Sequence, residues 1–276
     1  MFKKAVRSQS KLRMTLDGPA GSGKTYTALR FAHTLKNGGR IALIDTERGS
    51  ASKYTGDSPD GVVWDFDVLE LNTFSPERYT SAIEAAGKMG YSVLVIDSLS
   101  HAWEGVGGAL EIKQRVGESW SAWRHVTPIH NRMIDAILQS PMHVITTMRS
   151  RMEYVQEVDP SGKTIIRKVG LSPIQRPGME YEFDLVCDID WSHIMTVSKS
   201  RCTAVADMIV EKPGPDFMNI VKEWLSSGVE YVPPAPVYTL DQLIENFGAD
   251  VILAANNGAI PSTEQEIQAV ATILAG

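Results

Sequence analysis

Runs of continuous Val, Ile and Leu alternate along the chain with segments of helical period. Residues 40–46 (RIALIDT), 91–97 (YSVLVID) and 142–148 (MHVITTM) are each built around a run of Val, Ile, Leu or Ala and read as strands buried on both faces. Residues 12–17 alternate apolar and polar and form a further strand; residues 62–71 are a looser one. Between them, residues 25–36 are helical and stop at Asn37-Gly38-Gly39, a glycine-rich C-terminal signal. Ser75-Pro76-Glu77 opens a second helix, with Ser as N-cap, Pro in the first turn and Glu near the dipole. It ends at Gly90, and a long helical stretch follows the next strand to about Gln139. Apolar strands separated by helices predict an α/β fold, a mostly parallel sheet with helices on both faces.

From Glu153 the period changes to two. YVQEVDPSGKTIIRKV holds two alternating runs around Asp159-Pro160-Ser161-Gly162, predicting an antiparallel hairpin extension. Residues 183–190 and 194–198 predict a second antiparallel pair. Pro233-Pro234-Ala235-Pro236 is a stiff linker. Residues 239–276 predict a small C-terminal helical module of two or three short helices, the last opened by Thr263 with Glu266 in capping-box spacing. The expected organisation is a basic N-terminal arm (1–11), a core (12–232), a linker (233–238) and an acidic helical tail (239–276).

Gly18-Pro19-Ala20-Gly21-Ser22-Gly23-Lys24-Thr25 matches G-x-x-x-x-G-K-[ST] in full, after a strand and at the start of a helix. Its glycines let backbone N–H groups curl round a phosphate, and the helix N-terminus adds its positive dipole end. Lys24 supplies a point charge, and the Thr25 hydroxyl is a Mg²⁺ ligand. Gly18, Gly21, Ser22, Gly23, Lys24, Thr25 and Tyr26 are therefore the expected nucleotide contacts, with ATP and Mg²⁺ as cofactors. The strand at 93–97 ends in Asp97, placed to hold Mg²⁺ with Thr25. Ser98, not an acid, follows Asp97, which argues against the AAA+ arrangement. Another carboxylate must then activate water; Glu47, just past the strand at 41–45, is the candidate.

The order phosphate loop, IDTE, VLVIDS resembles the RecA-type recombinase core. That resemblance implies a RecA-like P-loop NTPase core in which Glu47 is catalytic and Tyr54, seven residues on, stacks on adenine. HVITTMRS resembles the strand that ends in a polar γ-phosphate sensor, where the recombinases carry Gln and this chain has Arg149. VSKSRCTA resembles the segment that sends two cations, here Lys199 and Arg201, to a neighbouring subunit's nucleotide. SLSHAW, AWRHVTPIHN, TMRSRMEYV, GLSPIQRPGMEYEFD and VSKSR extend the resemblance to phage-encoded, RecA-like ATPases of the single-strand-annealing kind, over residues 12–208. It implies single-stranded DNA and a homo-oligomeric ring or filament as partners, with a single-strand-binding or other replication protein beside them, in the cytoplasm of a bacterial host. The alternatives are an ATPase motor or loader of the same fold, and a nucleotide-switched scaffold with no DNA role.

Net charge is −6, from 27 basic and 33 acidic side chains, which at face value opposes a nucleic-acid partner. Its distribution changes that. From Glu223 onward there are seven acidic residues and no Lys or Arg, leaving residues 1–222 with 27 basic and 26 acidic groups. Arg149, Arg151, Lys163, Arg167, Lys168 and Arg176 make a basic stretch at the position of a recombinase DNA-contacting loop, with Tyr154 as a stacking surface. The basic first sixteen residues are a second candidate for phosphate contact. Cys187 and Cys202 read as buried thiols of a cytosolic protein. No apolar run approaches the roughly 20 residues of a membrane span, and the N-terminus has no secretory apolar region. Trp103, Trp120 and Trp123 read as core or subunit-contact residues. His101, His125, His130 and His143 lack metal spacing, and Ser98 and Ser100 lack a nucleophile context.

Overall fold

The computed structural model describes residues 4–57, 61–117, 119–158, 164–230 and 239–275. The chain forms two compact units, Met1–Gly228 and Val229–Gly276. In the first, chain order runs β1 (Arg13–Gly18), α1 (Lys24–Leu35), β2 (Ile41–Asp45), β3 (Gly56–Asp57), β4 (Val63–Trp64), β5 (Asp67–Glu70), α2 (Pro76–Lys88) and β6 (Val93–Asp97). Then come α3 (His101–Glu104), α4 (Ala109–Val116), α5 (Trp123–Gln139), β7 (His143–Val158), β8 (Thr164–Pro173), β9 (Leu185–Ile189), β10 (Ile194–Ser200), β11 (Ile209–Glu211) and α6 (Pro215–Ser226).

The main sheet has the order β11-β10-β9-β1-β7-β6-β2-β5, with β8 paired to β7 outside that path. From β9 to β5 every neighbouring pair is parallel; β10 and β11 continue it antiparallel. The period-two geometry of a strand sorts its side chains between two cores. Val93 and Val95 of β6 and Ile41 and Leu43 of β2 pack with Phe31 of α1 and Phe217 of α6. Leu94, Ile96 and Ile44 face the other way, onto Tyr79 and Ile83 of α2 and Met133 and Ile137 of α5. Helices therefore cover both faces, as the apolar runs require.

Several local expectations change. The looser strand at 62–71 is two: β4 pairs with β3 in a separate ribbon, and β5 is the edge of the main sheet. Ser75 makes no capping hydrogen bond, so Pro76 and Glu77 carry the start of α2. The long helical stretch after Asp97 is interrupted at Gly105–Gly108 and again before Trp120, giving α3, α4 and α5. The strand at 142–148 and the first arm of the hairpin fuse into one strand, β7, sixteen residues long. Its first part lies between β1 and β6, and its second part pairs antiparallel with β8. The expected turn at 159–162 and the linker at 233–238 lie outside the described residues.

The basic N-terminal stretch is not a free polycation. Arg7 Nη2 donates to the Trp224 carbonyl at 2.8 Å and its guanidinium lies 5.6 Å from that ring. Arg13 is 7% exposed, and its guanidinium donates to the carbonyls of Leu12, Leu138, Ser140 and Met142. Burial lowers its pKa to about 10, against the opposing pull of Asp184. Arg13 thus ties the start of β1 to the α5–β7 connection and is unavailable for phosphate.

In the second unit, α7 (Leu240–Phe247), α8 (Ala249–Ala255) and α9 (Glu264–Ala275) enclose Leu243, Ile252, Val270 and Ala271. Thr263 and Glu266 exchange side chain-to-backbone hydrogen bonds at 3.2 and 3.3 Å before α9, and Thr239 and Gln242 form an unanticipated capping box on α7. Cys187 and Cys202 are buried and unbridged. Among the described residues no helix is long and apolar enough to cross a membrane.

Arg13→Ala removes the side-chain donor to four carbonyls, of which that of Leu12 keeps another, the Val144 N–H, and should lower the unfolding free energy by about 3 kcal/mol. Chemical denaturation measures it; a loss below about 0.5 kcal/mol would show that the carbonyls find other partners.

Candidate nucleotide site

Strand β1 delivers the phosphate loop. A Cβ on Gly18 would lie 2.3 Å from the Ile189 carbonyl oxygen, so only glycine lets β1 end this close to β9. Gly21 and Gly23 sit at φ of 80° and 91°, left-handed values that turn successive N–H groups inward before α1 begins. Lys24 Nζ donates to the Gly18 and Pro19 carbonyls at 2.8 and 2.7 Å. Burial lowers the Lys24 pKa, opposed by the carboxylates of Asp97 and Glu47.

The sheet register brings in the rest. Asp45 of β2 lies opposite Asp97 of β6, and Gly18 of β1 opposite Arg149 of β7. Asp97 is buried and accepts from Thr25 Oγ1 at 2.6 Å and from Thr147 Oγ1 at 2.5 Å. Burial raises its pKa, and the two hydroxyl hydrogen bonds oppose the rise. Two hard oxygen ligands, a hydroxyl and a carboxylate, are thus joined beside the loop, the donor chemistry Mg²⁺ takes.

Glu47 follows β2 in a turn capped by Asp45, whose carboxylate accepts from the N–H of Glu47 at 2.6 Å and of Ala51 at 3.3 Å. Arg149 grips Glu47 with both arms: Nε donates to Oε1 at 2.9 Å, and Nη2 to Oε2. Burial pushes the Glu47 carboxyl up, but the Arg149 hydrogen bond and charge outweigh it and hold the pKa below the ordinary value. The water-activating candidate and the γ-phosphate-sensor candidate are therefore partners of one another.

A family model described as an AAA domain matches residues 10–207, more than half of the chain. The chain belongs to the AAA domain family. No curated protein matches it. The AAA domain is a P-loop ATPase domain, and its family generally works with ATP and Mg²⁺, which fit the loop and the Thr25–Asp97 pair above. This membership corrects the exclusion drawn from Ser98: the AAA domain here lacks an acid after Asp97, and its accessible carboxylate near the loop is Glu47.

The other expected residues fall in three places. Tyr54 lies 5.9 Å from Tyr26 and 6.1 Å from Trp64, ring centre to ring centre, in an aromatic cluster beside the start of α1. Trp64 was not anticipated, because its two-residue strand is too short to show a period. Lys199 and Arg201 do not lie on one free strand face. A register shift separates Val197 from Lys199, and Arg201 lies beyond the end of β10. Lys199 Nζ donates to the carbonyls of Glu180, Tyr181 and Phe183 at 2.8–2.9 Å, while Arg201 pairs with Asp184 at 2.8 Å. Both cations are held by residues 180–184 of their own AAA domain.

Of the DNA candidates, Arg151 is exposed on β7. Arg176 contacts Asn131 at 3.4 Å beside a cavity of about 320 Å³. Tyr154, Arg167 and Lys168 occupy the β7–β8 ladder, where Tyr154 is opposite Lys168 and Val155 opposite Arg167. Lys163 lies outside the described residues. Trp103 and Trp123 stack at 5.6 Å, whereas Trp120 is exposed.

Besides Trp64, three site residues were missed. Thr147 holds Asp97. His101 places Nδ1 2.7 Å from the Thr46 hydroxyl, which also accepts from the Ser98 N–H at 2.8 Å. Asp17, the residue before the loop, is buried and accepts from Thr15 Oγ1 at 2.9 Å. Burial pushes its pKa up to about 8, from 3.8, more than the Thr15 hydrogen bond can offset.

The folded chain thus holds a proton on Asp17 that the unfolded chain releases at lower pH. The stability this carboxyl contributes is complete below pH 3.8 and is lost as pH rises through about 8. Asp17→Asn, which keeps the acceptor for Thr15, should melt increasingly above the wild type across that window. Melting curves of the two that stay parallel with pH would contradict the buried, protonated assignment.

Proposed function

We propose that this AAA domain is an ATP-hydrolysing, RecA-like DNA-pairing protein that binds single-stranded DNA and promotes annealing or recombination, of the phage-encoded kind. The observation that carries the reading is the continuity of β7. One unbroken strand passes from Thr147 and Arg149, beside the phosphate loop, into the ladder that bears Arg151, Tyr154, Arg167 and Lys168. A change at the γ-phosphate is therefore one strand away from the basic hairpin.

In this reading Lys24 and the loop amides bind the phosphates, and Thr25 and Asp97 hold Mg²⁺. When bound there, the ion would supply charge neutralisation to the phosphates. Glu47, released from Arg149, accepts a proton from the attacking water, and Arg149 turns to the γ-phosphate. Tyr54, with Tyr26, receives the adenine. Lys199 leaves the carbonyls of Glu180, Tyr181 and Phe183, and Arg201 leaves the Asp184 carboxylate, for a neighbouring subunit's nucleotide, so turnover depends on assembly into a ring or filament. Single-stranded DNA lies on the hairpin, and repetition around the assembly lets individually weak contacts add. A partner replication protein and a bacterial host cytoplasm belong to the same reading.

ATP turnover measured with and without single-stranded DNA over a salt series tests it. The expected result is stimulation by DNA that falls steeply with salt, and a turnover per subunit that drops on dilution in the wild type. Lys199→Ala should show the diluted rate at every concentration. ATP turnover indifferent to DNA at low salt would overturn the DNA role in favour of a motor on a protein substrate or a scaffold. A wild type indifferent to dilution would overturn the trans cations.

A further inference from the structure

The turn between β9 and β10 carries a residue that the nucleotide reading does not use. His193 sits at φ 62°, a left-handed value uncommon outside glycine. Its backbone is held on every side. Asp190 Oδ1 accepts from the N–H of Ser192 at 2.8 Å and of Ile194 at 2.9 Å. The His193 N–H donates to the Asp190 carbonyl at 3.1 Å, and its carbonyl accepts from Lys212 at 2.9 Å. A conformation this closely determined persists only because the surroundings enforce it.

What the enforcement achieves is the placement of one ring atom. His193 Nδ1 lies 3.0 Å from the carbonyl oxygen of Ser22, inside the phosphate loop. A carbonyl only accepts, so Nδ1 carries the hydrogen. In a planar trans peptide the C=O of one residue and the N–H of the next point in opposite directions. Drawing the Ser22 carbonyl towards His193 therefore turns the Gly23 N–H the other way, away from the β9–β10 turn. The ring also abuts that peptide directly: a Cβ on Gly23 would lie 3.3 Å from Nδ1.

We propose that His193 is a positioning residue of the nucleotide site, which orients the Ser22–Gly23 peptide for phosphate and binds the loop to the β9–β10 turn. The inference rests on the loop being the ATP phosphate site and adds to it a residue about 170 positions away. It acts through Ser22 and Gly23 and touches no reacting atom. Its ligand class is a nucleoside diphosphate or triphosphate, whose phosphates meet the loop amides.

The contrast between Asn and Gln tests it in the full-length chain. Asn tolerates a left-handed backbone and carries an amide N–H at about the reach of His Nδ1; Gln is one carbon longer and overshoots. Calorimetric titration with Mg-ADP should give a dissociation constant roughly fivefold weaker for His193→Ala and His193→Gln, the loss of about one hydrogen bond. His193→Asn should return to within about twofold of wild type. Equal affinity in all three variants and wild type would overturn the proposal, as would equal losses in Asn, Gln and Ala. Should His193→Ala unfold, the Asn–Gln contrast still decides. Lys24→Ala separates the two readings. If the wild type binds no Mg-ADP, the phosphate-site reading itself fails; if the wild type binds and Lys24→Ala does not, an indifferent His193 series removes only the role of His193.

Discussion

The parallel register across β1, β7, β6 and β2 is the constraint on which the candidate site depends. It sets Gly18, Asp97 and Asp45, the last residues of strands buried on both faces, along one edge of the sheet, together with Arg149, where β7 passes out of the parallel pairing into its ladder with β8. In an open parallel sheet that edge is where ligands bind. Both cores enforce the register, because a slip by one residue would exchange the two alternating sets of β2 and β6 between the α1–α6 face and the α2–α5 face. Arg13 adds a polar lock at the opposite end, gathering the carbonyls of the α5–β7 connection. The Gly18–Ile189 approach then holds the loop against β9. Packing at the bottom and middle of the sheet thus determines chemistry at its top.

The charged groups of the site satisfy one another within the chain. Lys24 bonds to loop carbonyls, Asp97 takes two hydroxyl hydrogen bonds, and Glu47 and Arg149 form a two-point ion pair. Partly buried charges require such partners, since an unpaired one costs more than the pair returns. In the proposed function, Mg-ATP binding would be an exchange of partners: phosphate would replace the carbonyls at Lys24, Thr25 and Asp97 would hold the metal, and Arg149 would leave Glu47. Because Arg149 lies on β7, such an exchange acts on the same strand that forms the hairpin.

The parts of this arrangement that are local in sequence were legible there. The phosphate loop occupies eight consecutive residues, and Asp97 and Glu47 stand at the ends of apolar strands whose composition alone marks them as central. What escaped depends on long-range contact. Arg149 and Glu47 are 102 residues apart, and nothing in HVITTMRS marks its arginine as the partner of a carboxylate. Arg13 counted among the basic first sixteen residues offered for phosphate contact; only the fold places its guanidinium among four carbonyls. His193 lies in a short polar turn whose conformation is set by Asp190, and its target is in another strand's loop. The fusion of two strand signals into β7 was hidden by a change of environment along one strand. Its first half is buried among parallel neighbours, and its second half is one side of an antiparallel ladder, so the hydrophobic period changes while the backbone does not.

The central claim is that water at this P-loop is activated from β2, by Glu47, and not from the position after Asp97. Parallel measurement of ATP affinity and single-turnover hydrolysis for Glu47→Gln addresses it most directly. The account predicts ATP binding within a few-fold of wild type and a hydrolysis rate lower by at least about 100-fold, the order expected for loss of a general base. Hydrolysis at the wild-type rate in Glu47→Gln would contradict it.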